Sequence, residues 1–318
     1  MAGFMTTNTD HLIRSNLWSS NLKEIFEADL YATQWIDWIT DFPDGDTLNI
    51  PSIGQMEAQD FAEGEAVRYT AFDTGNFTFT IDKYLASATY VTDKMMQDSY
   101  VMSQVKSKFV PKQARAIATI METDALAVGP NGQTSANSNT INGAKHRIIG
   151  SGTNERITLE DFMKMKYALQ KANAPLTQLI AVVDPSVEYE LSTLPNHMNM
   201  SNNIMWEGVV ATGLTTGFRF MKNIFGWDVY VSQYLKVNTA SEAIDGVTAA
   251  AGVNNLFFSA APEARPFIGS VRQPPKVESE RNKDLQRDEY VTTCRYGMKL
   301  YRPECLGVVV TDTDQVYA

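Results

Sequence analysis

The sequence of 318 residues is poor in the residue types that build covalent or metal-bound frameworks. Its only cysteines, Cys294 and Cys305, cannot form a disulfide framework, so we expect folding in a reducing cytoplasm. The only histidines, His11, His146 and His197, lack metal-ligand spacing to one another or to a pair of cysteines. The sequence therefore predicts no metal site and no cofactor.

Long apolar runs and an excess of basic charge are also missing. No window approaches about 18 consecutive apolar residues, and the start of the chain lacks a signal-like pattern, so neither a membrane span nor secretion is expected. The 27 Lys and Arg residues are outnumbered by 37 Asp and Glu residues, which gives a net charge of −10. This balance disfavours proteins whose main task is to grip nucleic acid, because that task needs clustered basic side chains.

Sequence signatures of catalysis are absent as well. The chain has no glycine-rich phosphate loop, no dinucleotide-binding fingerprint and no nucleophile elbow. Cys294 lies within a predicted strand on an apolar face, which favours a buried, inert thiol over a nucleophile. The carboxylates do not form a recognisable acid–base pair. We therefore expect a protein that is not an enzyme.

The longest regular pattern predicts one helix from Thr92 to Val128. Thr92 can cap its start, Gly129-Pro130 is expected to end it, and Pro111 predicts a kink or break near Val110. The apolar face of this helix is predicted from residues spaced three and four apart, namely Met95, Met102, Val105, Phe109, Val110, Ala114, Ile117, Met121 and Val128.

An acidic segment precedes this helix. Strand patterns at 47–53 and 76–81 predict a long two-stranded hairpin, which should lie against another element because isolated hairpins are marginally stable. Between residues 41 and 82 the chain has nine carboxylates and a single basic residue, Arg68. Two interpretations stay open: a solvated acidic flap, or a flap complementary to a basic surface.

The remaining sequence predicts a small α/β unit followed by β structure. A helix at 158–173, a fully buried strand at 179–183 and a short helix after Asp184-Pro185 form the α/β unit. The predicted β elements are a hairpin turning at Gly226, a short strand at 256–258, long strands at 267–277 and 287–301 around a charged turn at 278–288, and a last strand at 306–311.

Residues 1–40 allow two interpretations. Leu22, Ile25, Phe26 and Leu30 could form a short amphipathic helix that packs, with the aromatic segment around Trp35 and Trp38, on its own domain. Alternatively, the segment is an extended arm that docks these aromatic residues on another subunit.

The order of these elements resembles the major capsid protein of tailed bacteriophages, the Hong Kong 97 type of shell subunit. Four segments carry the resemblance most clearly: 47–51 entering the flap, 86–93 leaving it, Gly226-Trp227-Asp228-Val229-Tyr230-Val231-Ser232, and Tyr296-Gly297-Met298-Lys299-Leu300-Tyr301-Arg302-Pro303. The resemblance implies an α+β fold with an N-terminal arm (1–40), an extended loop (41–90), a peripheral domain with a long spine helix (91–149 and 271–302) and an axial domain (150–270 and 303–318).

The resemblance also implies a function and partners. The chain would assemble into hexamers and pentamers of an icosahedral virion shell, formed in the host cytoplasm around double-stranded DNA that it contacts non-specifically. A separate scaffolding protein, a portal and a decoration protein are the implied partners, and no membrane is involved. Lysine cross-linking through the extended loop is not expected, because no lysine occurs between Lys23 and Lys83.

Joined to the charge count, the resemblance leads to a hypothesis about contacts between subunits. The acidic extended loop would dock on basic residues of a neighbour's peripheral domain, setting register and orientation. The candidate residues are Glu57, Asp60, Glu63, Glu65 and Arg68 in the loop, Lys106, Lys108, Lys112 and Arg115 on the helix, and Lys276, Arg281, Lys283 and Arg287 on the long strands.

Two other functions remain as alternatives. An encapsulin-like bacterial nanocompartment would have the same fold and would enclose a cargo enzyme. A carbohydrate-modifying or carbohydrate-binding β-protein would be a monomer or small oligomer with a pocket.

Overall fold

The computed structural model describes residues 30–40, 47–53, 60, 74–98, 102–133, 138–193, 220–238, 242–244, 247–249 and 252–312. They form a mixed structure with few helices and many strands. The first part contains β1 (Asp37–Trp38), β2 (Thr47–Ile53), β3 (Thr74–Thr80), β4 (Lys83–Thr92), α1 (Asp93–Asp98), α2 (Met102–Gly132), β5 (Thr140–Ile141), β6 (Ala144–Lys145) and β7 (Arg147–Ile149). The second part contains α3 (Leu159–Lys171), β8 (Leu179–Val183), α4 (Pro185–Thr193), β9 (Phe220–Ile224), β10 (Trp227–Val231), β11 (Glu242–Ile244), β12 (Val247–Ala249), β13 (Gly252–Ser259), β14 (Phe267–Asn282), β15 (Arg287–Leu300) and β16 (Leu306–Asp312).

One sheet has four strands in the order β1-β14-β15-β4. β14 and β15 form a long antiparallel hairpin, β4 runs antiparallel to β15, and β1 runs parallel to β14. The two long strands are confirmed, but β14 continues to Asn282, so the turn is shorter than the predicted segment 278–288. The Asn282 side chain closes this turn by accepting hydrogen bonds from the N–H groups of Asp284 and Leu285.

Within the stretch predicted as one long helix, the structure describes two helical segments, and residues 99–101 between them lie outside the described residues. Thr92 is the last residue of β4, α1 follows it, and α2 begins at Met102. Thr92 does cap α1, because its Oγ1 accepts a hydrogen bond from the N–H of Met95 at 3.4 Å. α2 is continuous through Pro111, so of the kink or break predicted near Val110 the break is wrong and the kink stays a prediction. A proline removes one backbone hydrogen bond, and α2 accommodates this loss at Pro111 without ending there.

The predicted helix end at Gly129-Pro130 is also wrong, because α2 continues to Gly132. A Cβ atom added at Gly129 would lie 2.8 Å from Leu306 Cδ2, and one added at Gly132 would lie 2.8 Å from Leu300 Cδ2. Glycine therefore serves close packing between the last turns of the helix and the neighbouring strands. Gly129 does not end the helix here.

The face that α2 turns to β15 is only partly the predicted one. Ile117 is buried against Cys294 and Tyr296 as expected, whereas Ala114 is exposed. Gln113 is buried instead. Its side chain donates to the carbonyl of Tyr290 (3.1 Å) and accepts from the Thr292 hydroxyl (2.9 Å), so a polar side chain fastens this part of the helix to the sheet.

A second sheet has six strands in the order β7-β16-β13-β8-β10-β9. Side chains from its two faces belong to two separate buried clusters. Phe162, Met165 and Leu169 of α3 cover one face, and the end of α2 with residues 31–36 covers the other. All five residues of β8 are buried, as predicted, because both faces of the sheet are covered.

Several local predictions of the α/β unit are confirmed. Thr158 and Asp161 form the capping box at the start of α3, and the Asp184 carboxylate accepts the N–H of Ser186 at the start of α4. β9 and β10 pair as a hairpin that turns at Phe225 and Gly226, both with positive φ angles of 52° and 91°. Glycine suits the second position of this turn because it adopts a positive φ angle without strain.

The N-terminal segment packs on its own chain where the structure describes it. Ala32–Trp35 is a short 3-10 helix, and Trp35 contacts the rings of Tyr31, Tyr230 and Phe258 at 5.1–5.4 Å. For these residues the alternative of an arm docked on another subunit is therefore wrong, since their own core buries them. The helix expected around 22–30 lies almost wholly outside the described residues.

Three expected domain boundaries do not coincide with the sheets. The boundary at 270/271 cuts β14, which pairs with β15 in the four-stranded sheet from Phe267 onward. The boundary at residue 90 cuts β4, whose ten residues all pair with β15 in the four-stranded sheet. The boundary at 149/150 follows β7, which pairs in parallel with β16 of the six-stranded sheet. Strand pairing thus joins residues 83–92 to the four-stranded sheet and 147–149 to the six-stranded sheet.

Candidate assembly surfaces

The hairpin of β2 and β3, which flanks the acidic segment, has a firmly packed root. β2 and β3 pair antiparallel from Thr47 opposite Thr80 to Ile53 opposite Thr74, in agreement with the predicted hairpin. At the root, Phe79 is fully buried beside Ile81 and Ile268.

Lys299 and Tyr301 hold the outer side of this root. The Lys299 ammonium donates to the carbonyl of Thr78 at 2.7 Å and lies 5.0 Å from the centre of the Phe77 ring. The Phe77 ring in turn meets Tyr301 edge-on at 5.0 Å. The hairpin therefore leaves the body of the subunit in a defined direction.

Gly297 makes the close approach of this root to β15 achievable. A Cβ atom at this position would lie 2.7 Å from the carbonyl oxygen of Thr80 and 2.9 Å from the Cα atom of Ile81. Both are backbone atoms, which cannot move aside without displacing the hairpin. Glycine is needed here for proximity between two backbones.

Of the five candidate residues in the loop, the structure describes one. Glu57, Glu63, Glu65 and Arg68 lie outside the described residues, and Asp60, which is described, is exposed. The proposed contact of the loop with a basic surface therefore stays a prediction.

The basic candidates of the helix share one stretch of α2. Lys108 and Lys112 are exposed and Arg115 is half-buried, and their spacing of four and three residues places them on one helix face. Lys106 lies in the same helix, but its side chain is not among those described.

The basic candidates of the long strands have carboxylate partners in their own chain. Lys276 contacts Glu278 at 2.7 Å, and Arg287 contacts Glu289 at 2.6 Å. These hydrogen bonds raise the pKa of Lys276 and lower the pKa of Glu289. The Arg287 guanidinium also lies 4.5 Å from the centre of the Tyr90 ring. Lys283, in the β14–β15 turn, is exposed.

Arg281 links the tip of the long hairpin to the start of α1. Its guanidinium donates two hydrogen bonds to Asp93, at 3.0 and 2.7 Å, and a weaker one to Asp288 at 3.4 Å. The hydrogen bond from Arg281 holds the pKa of Asp93 below its usual value. The N–H of Asp93 adds a bond to the carbonyl of Gln286 at 3.0 Å. This contact joins residues 188 positions apart, so local sequence patterns could not reveal it.

Glu122 is a functional candidate that sequence reasoning missed. Its carboxylate is fully buried in α2 and accepts the N–H of Tyr31 at 3.1 Å and the N–H of Ala32 at 2.9 Å to each oxygen. Burial raises its pKa above the usual value, opposed by the backbone N–H groups and by Arg115. The sequence offered one signal for it: the carboxylate directly follows Met121, a residue of the predicted apolar face of the helix. This contact of Glu122 with Tyr31 and Ala32, called the latch below, fixes the point where the N-terminal segment joins the helix.

A second carboxylate of α2, Asp124, lies in an open cleft of about 510 Å³ beside the hairpin root. It accepts a hydrogen bond from the Tyr296 hydroxyl at 2.7 Å and pairs with the Lys83 ammonium at 3.5 Å. Burial, with Asp124 adding to it, raises the pKa of Tyr296, so the phenol stays protonated. Every polar group of this set has a structural partner, and none is arranged as a nucleophile with its base.

The two thiols are buried, as expected for Cys294. Its Sγ donates to the carbonyl of Gln273 at 3.3 Å, and burial raises its pKa. Burial also raises the pKa of Cys305 to about 11. Over the described ranges, three or more His, Cys, Asp or Glu side chains nowhere gather as metal ligands would. The helices described there include none that is long and apolar enough to span a membrane.

Solved structures share this fold over nearly their whole length. The chain is similar to a structure from Mycobacterium phage Che8, with 18% identity, coverage of 93% of this chain and 96% of that chain, and a TM-score of 0.68. It is also similar to the capsid of cyanophage P-SCSP1u, with 16% identity, 94% and 93% coverage and a TM-score of 0.71. For the capsid of Ralstonia phage GP4 the identity is 10%, both chains are covered to 98%, and the TM-score is 0.67. The fold is therefore that of a viral shell subunit.

The sequence itself leads to the same class. The profile of the phage capsid protein family matches residues 76–309, which is most of the chain, and the chain belongs to this family. A comparison with curated proteins finds no match. The predicted α+β fold of the Hong Kong 97 type and the predicted function, a major capsid protein of a tailed bacteriophage located in the virion capsid, are confirmed. The encapsulin alternative is not favoured.

Proposed function

We propose that the chain assembles with copies of itself into hexamers and pentamers that close an icosahedral shell around double-stranded DNA. The observation that carries this proposal is the family match over 76–309 on a subunit whose hairpin projects from a packed root. The net charge of −10 supports a container that contacts its genome non-specifically, because tight binding would need a basic surface. Assembly in the host cytoplasm belongs to the same proposal.

The two sheets support a division of the subunit into two parts. The peripheral domain consists of the four-stranded sheet with α1 and most of α2. The axial domain consists of the six-stranded sheet with α3 and α4. The extended loop then comprises the residues before β4, and β4 itself belongs to the peripheral domain because it pairs with β15.

Electron microscopy of the purified chain tests the shell directly. Closed particles with six-fold and five-fold rings support the proposal, and uniform monomers contradict it. Addition of a co-expressed scaffolding protein and portal would raise the yield of uniform shells if these are the partners. A decoration protein would appear as extra density on the outside of the shell.

The acidic loop gives this shell a contact between neighbours. We propose that its carboxylates meet basic residues of the next copy, among which Lys283 is exposed in the hairpin turn. Arg281 and Arg287 already hold carboxylates of their own chain, so a neighbour's loop would have to compete there. One exposed pair contributes only about 0–1 kcal/mol, and repetition over the shell makes the sum large.

Charge reversal in the loop tests this contact. The double variant Glu63→Lys/Glu65→Lys should lower particle yield, and Lys283→Glu should restore part of it. A matched control is Glu160→Lys/Glu263→Lys, which changes the net charge equally at exposed positions outside the loop. Equal yield and stability of the loop variant and the unmodified chain would refute the loop contact while leaving the shell itself in place.

A further inference from the structure

Strand β4 forms one edge of the four-stranded sheet. Its ten residues, Lys83–Thr92, pair with β15 on one side. Among the described residues no strand pairs with its other side. The backbone N–H and C=O groups along such an edge are a ready template for another strand.

This edge lacks the features by which proteins usually block strand addition. It contains no proline, its pairing with β15 runs without a register shift, and Lys83 at one end is its only charged residue. By contrast, the β14–β15 pairing shifts register twice. A long, regular and uncharged edge that persists in a native protein indicates a partner.

The outer face of β4 presents two exposed aromatic rings around small residues. Tyr84 is 65% exposed and Tyr90 is 58% exposed, and Ala86 and Ala88 lie between them on the same face. The alternate residues are half-buried or buried on the side of α2. Exposed tyrosines flanking a flat, small-residue surface are typical of contact sites.

The order of residues along β4 identifies the partner. About Ser87 the strand reads nearly the same in both directions: Tyr84-Leu85-Ala86-Ser87-Ala88-Thr89-Tyr90. An antiparallel pair related by a two-fold axis at Ser87 would place each Tyr84 opposite Tyr90 of the other copy and each Ala86 opposite Ala88. Aromatic pairs directly opposite each other stabilise such ladders.

We propose that β4 pairs with β4 of a second copy of this chain about a two-fold axis through Ser87, joining two four-stranded sheets into one of eight. The proposal rests on the proposed shell function. A two-fold contact uses the same surface on both partners, whereas neighbours within a ring of five or six use different surfaces. The paired strands therefore belong to copies in adjacent rings.

Oxidative cross-linking of purified particles tests the register. In Ser87→Cys the two thiols are carried by residues directly opposite each other, with Cα atoms about 4.5–5.5 Å apart, within the Cα range of about 4.4–6.8 Å for a disulfide. Oxidation should convert most of the chain to dimers, with no larger species, because each strand has one partner. The native Cys294 and Cys305 are buried, so the unmodified chain should stay monomeric on a denaturing gel.

Register controls come from the neighbouring alanines. In Ala86→Cys alone the two thiols are diagonal neighbours about 7–8 Å apart, which is too far for a disulfide, whereas Ala86→Cys/Ala88→Cys should cross-link.

A second measurement uses charge. Particles should fail to form from Ala86→Lys/Ala88→Lys or from Ala86→Glu/Ala88→Glu alone, and should form from their equal mixture.

The outcomes separate this inference from the shell proposal. Particles of Ser87→Cys that give no dimers on oxidation, or lysine variants that assemble normally, would overturn the strand pairing and leave the shell function standing. Failure of the unmodified chain to form particles would overturn both. Dimers from Ala86→Cys alone would also refute the two-fold register at Ser87.

Discussion

Removal of the Glu122 carboxylate should release the N-terminal segment from α2. In the intact protein this buried side chain accepts the N–H groups of Tyr31 and Ala32 at 2.9–3.1 Å. Glu122→Ala leaves both donors buried without an acceptor. Glu122→Gln retains one carbonyl oxygen, which can still accept from both, but it places an NH₂ group beside the second contact of Ala32.

The size of the effect follows from these contacts. A buried donor left unsatisfied costs about 1–3 kcal/mol, so two donors would cost about 2–6 kcal/mol. The buried carboxylate itself costs free energy, and its removal recovers part of this loss. For Glu122→Ala we therefore expect the free energy of unfolding to fall by about 2–4 kcal/mol. For Glu122→Gln the expected loss in the free energy of unfolding is about 1 kcal/mol.

Hydrogen exchange of the peptide that contains residues 30–36, together with urea unfolding, measures both the place and the size of the loss. Exchange at Tyr31 and Ala32 should accelerate far more than exchange in β8. Thr123→Ala is the matched control, because it removes only an exposed bond to the Thr119 carbonyl within the same helix. Unchanged protection of Tyr31 and Ala32 in Glu122→Ala would refute the latch.

The pH dependence of this latch has a defined sign. Because the pKa of Glu122 is raised by burial, the folded chain binds more protons than the unfolded chain between the ordinary glutamate pKa of about 4.3 and the higher folded value. The contribution of Glu122 to stability is thus full below the ordinary pKa and decreases as pH rises through the folded pKa. Relative to Glu122→Gln, the unmodified chain should gain stability on acidification, and a constant difference would contradict the assignment.

Three further variants test the hairpin root and the helix start. Gly297→Ala should lower the free energy of unfolding by about 1–3 kcal/mol and expose β3 to hydrogen exchange, because the new methyl group meets backbone atoms; unchanged values would contradict the packing requirement. Tyr296→Phe should cost about 0.5–1.5 kcal/mol in urea unfolding through loss of its bond to Asp124, and a neutral result would show that the bond adds nothing. Asp93→Asn should lower the melting temperature slightly at low salt and not at high salt, because the partner Arg281 lies at the surface; a salt-independent loss would contradict an electrostatic cause.

Local chemistry explains the elements that were predicted correctly. The capping box at Thr158 and the strand at 179–183 depend on residues a few positions apart, so the sequence shows them directly. The overall class was predictable for a similar reason, since the order of such elements along the chain is characteristic of the family.

Contacts between distant segments explain the errors. Gly129 was interpreted as a helix end, but it is small because Leu306, far along the chain, packs against it. The partners of Glu122 and Arg281 are 90 and 188 residues away, and no local pattern could pair them. The basic residues of the long strands are a similar case. The sequence suggests a basic surface there, whereas in the structure several of these residues form ion pairs with carboxylates of the same chain.

The shared core of the two sheets has a mechanical consequence. Ala125 and Leu126, near the end of α2, are buried in the same cluster as Leu256 and Val308 of the six-stranded sheet. The helix that stiffens one sheet is therefore embedded in the interior of the other, and bending between them would open a close-packed core. In a shell of such subunits, each subunit would therefore move as one rigid body. A change in shell diameter would come from rotation of whole subunits at the contacts between them.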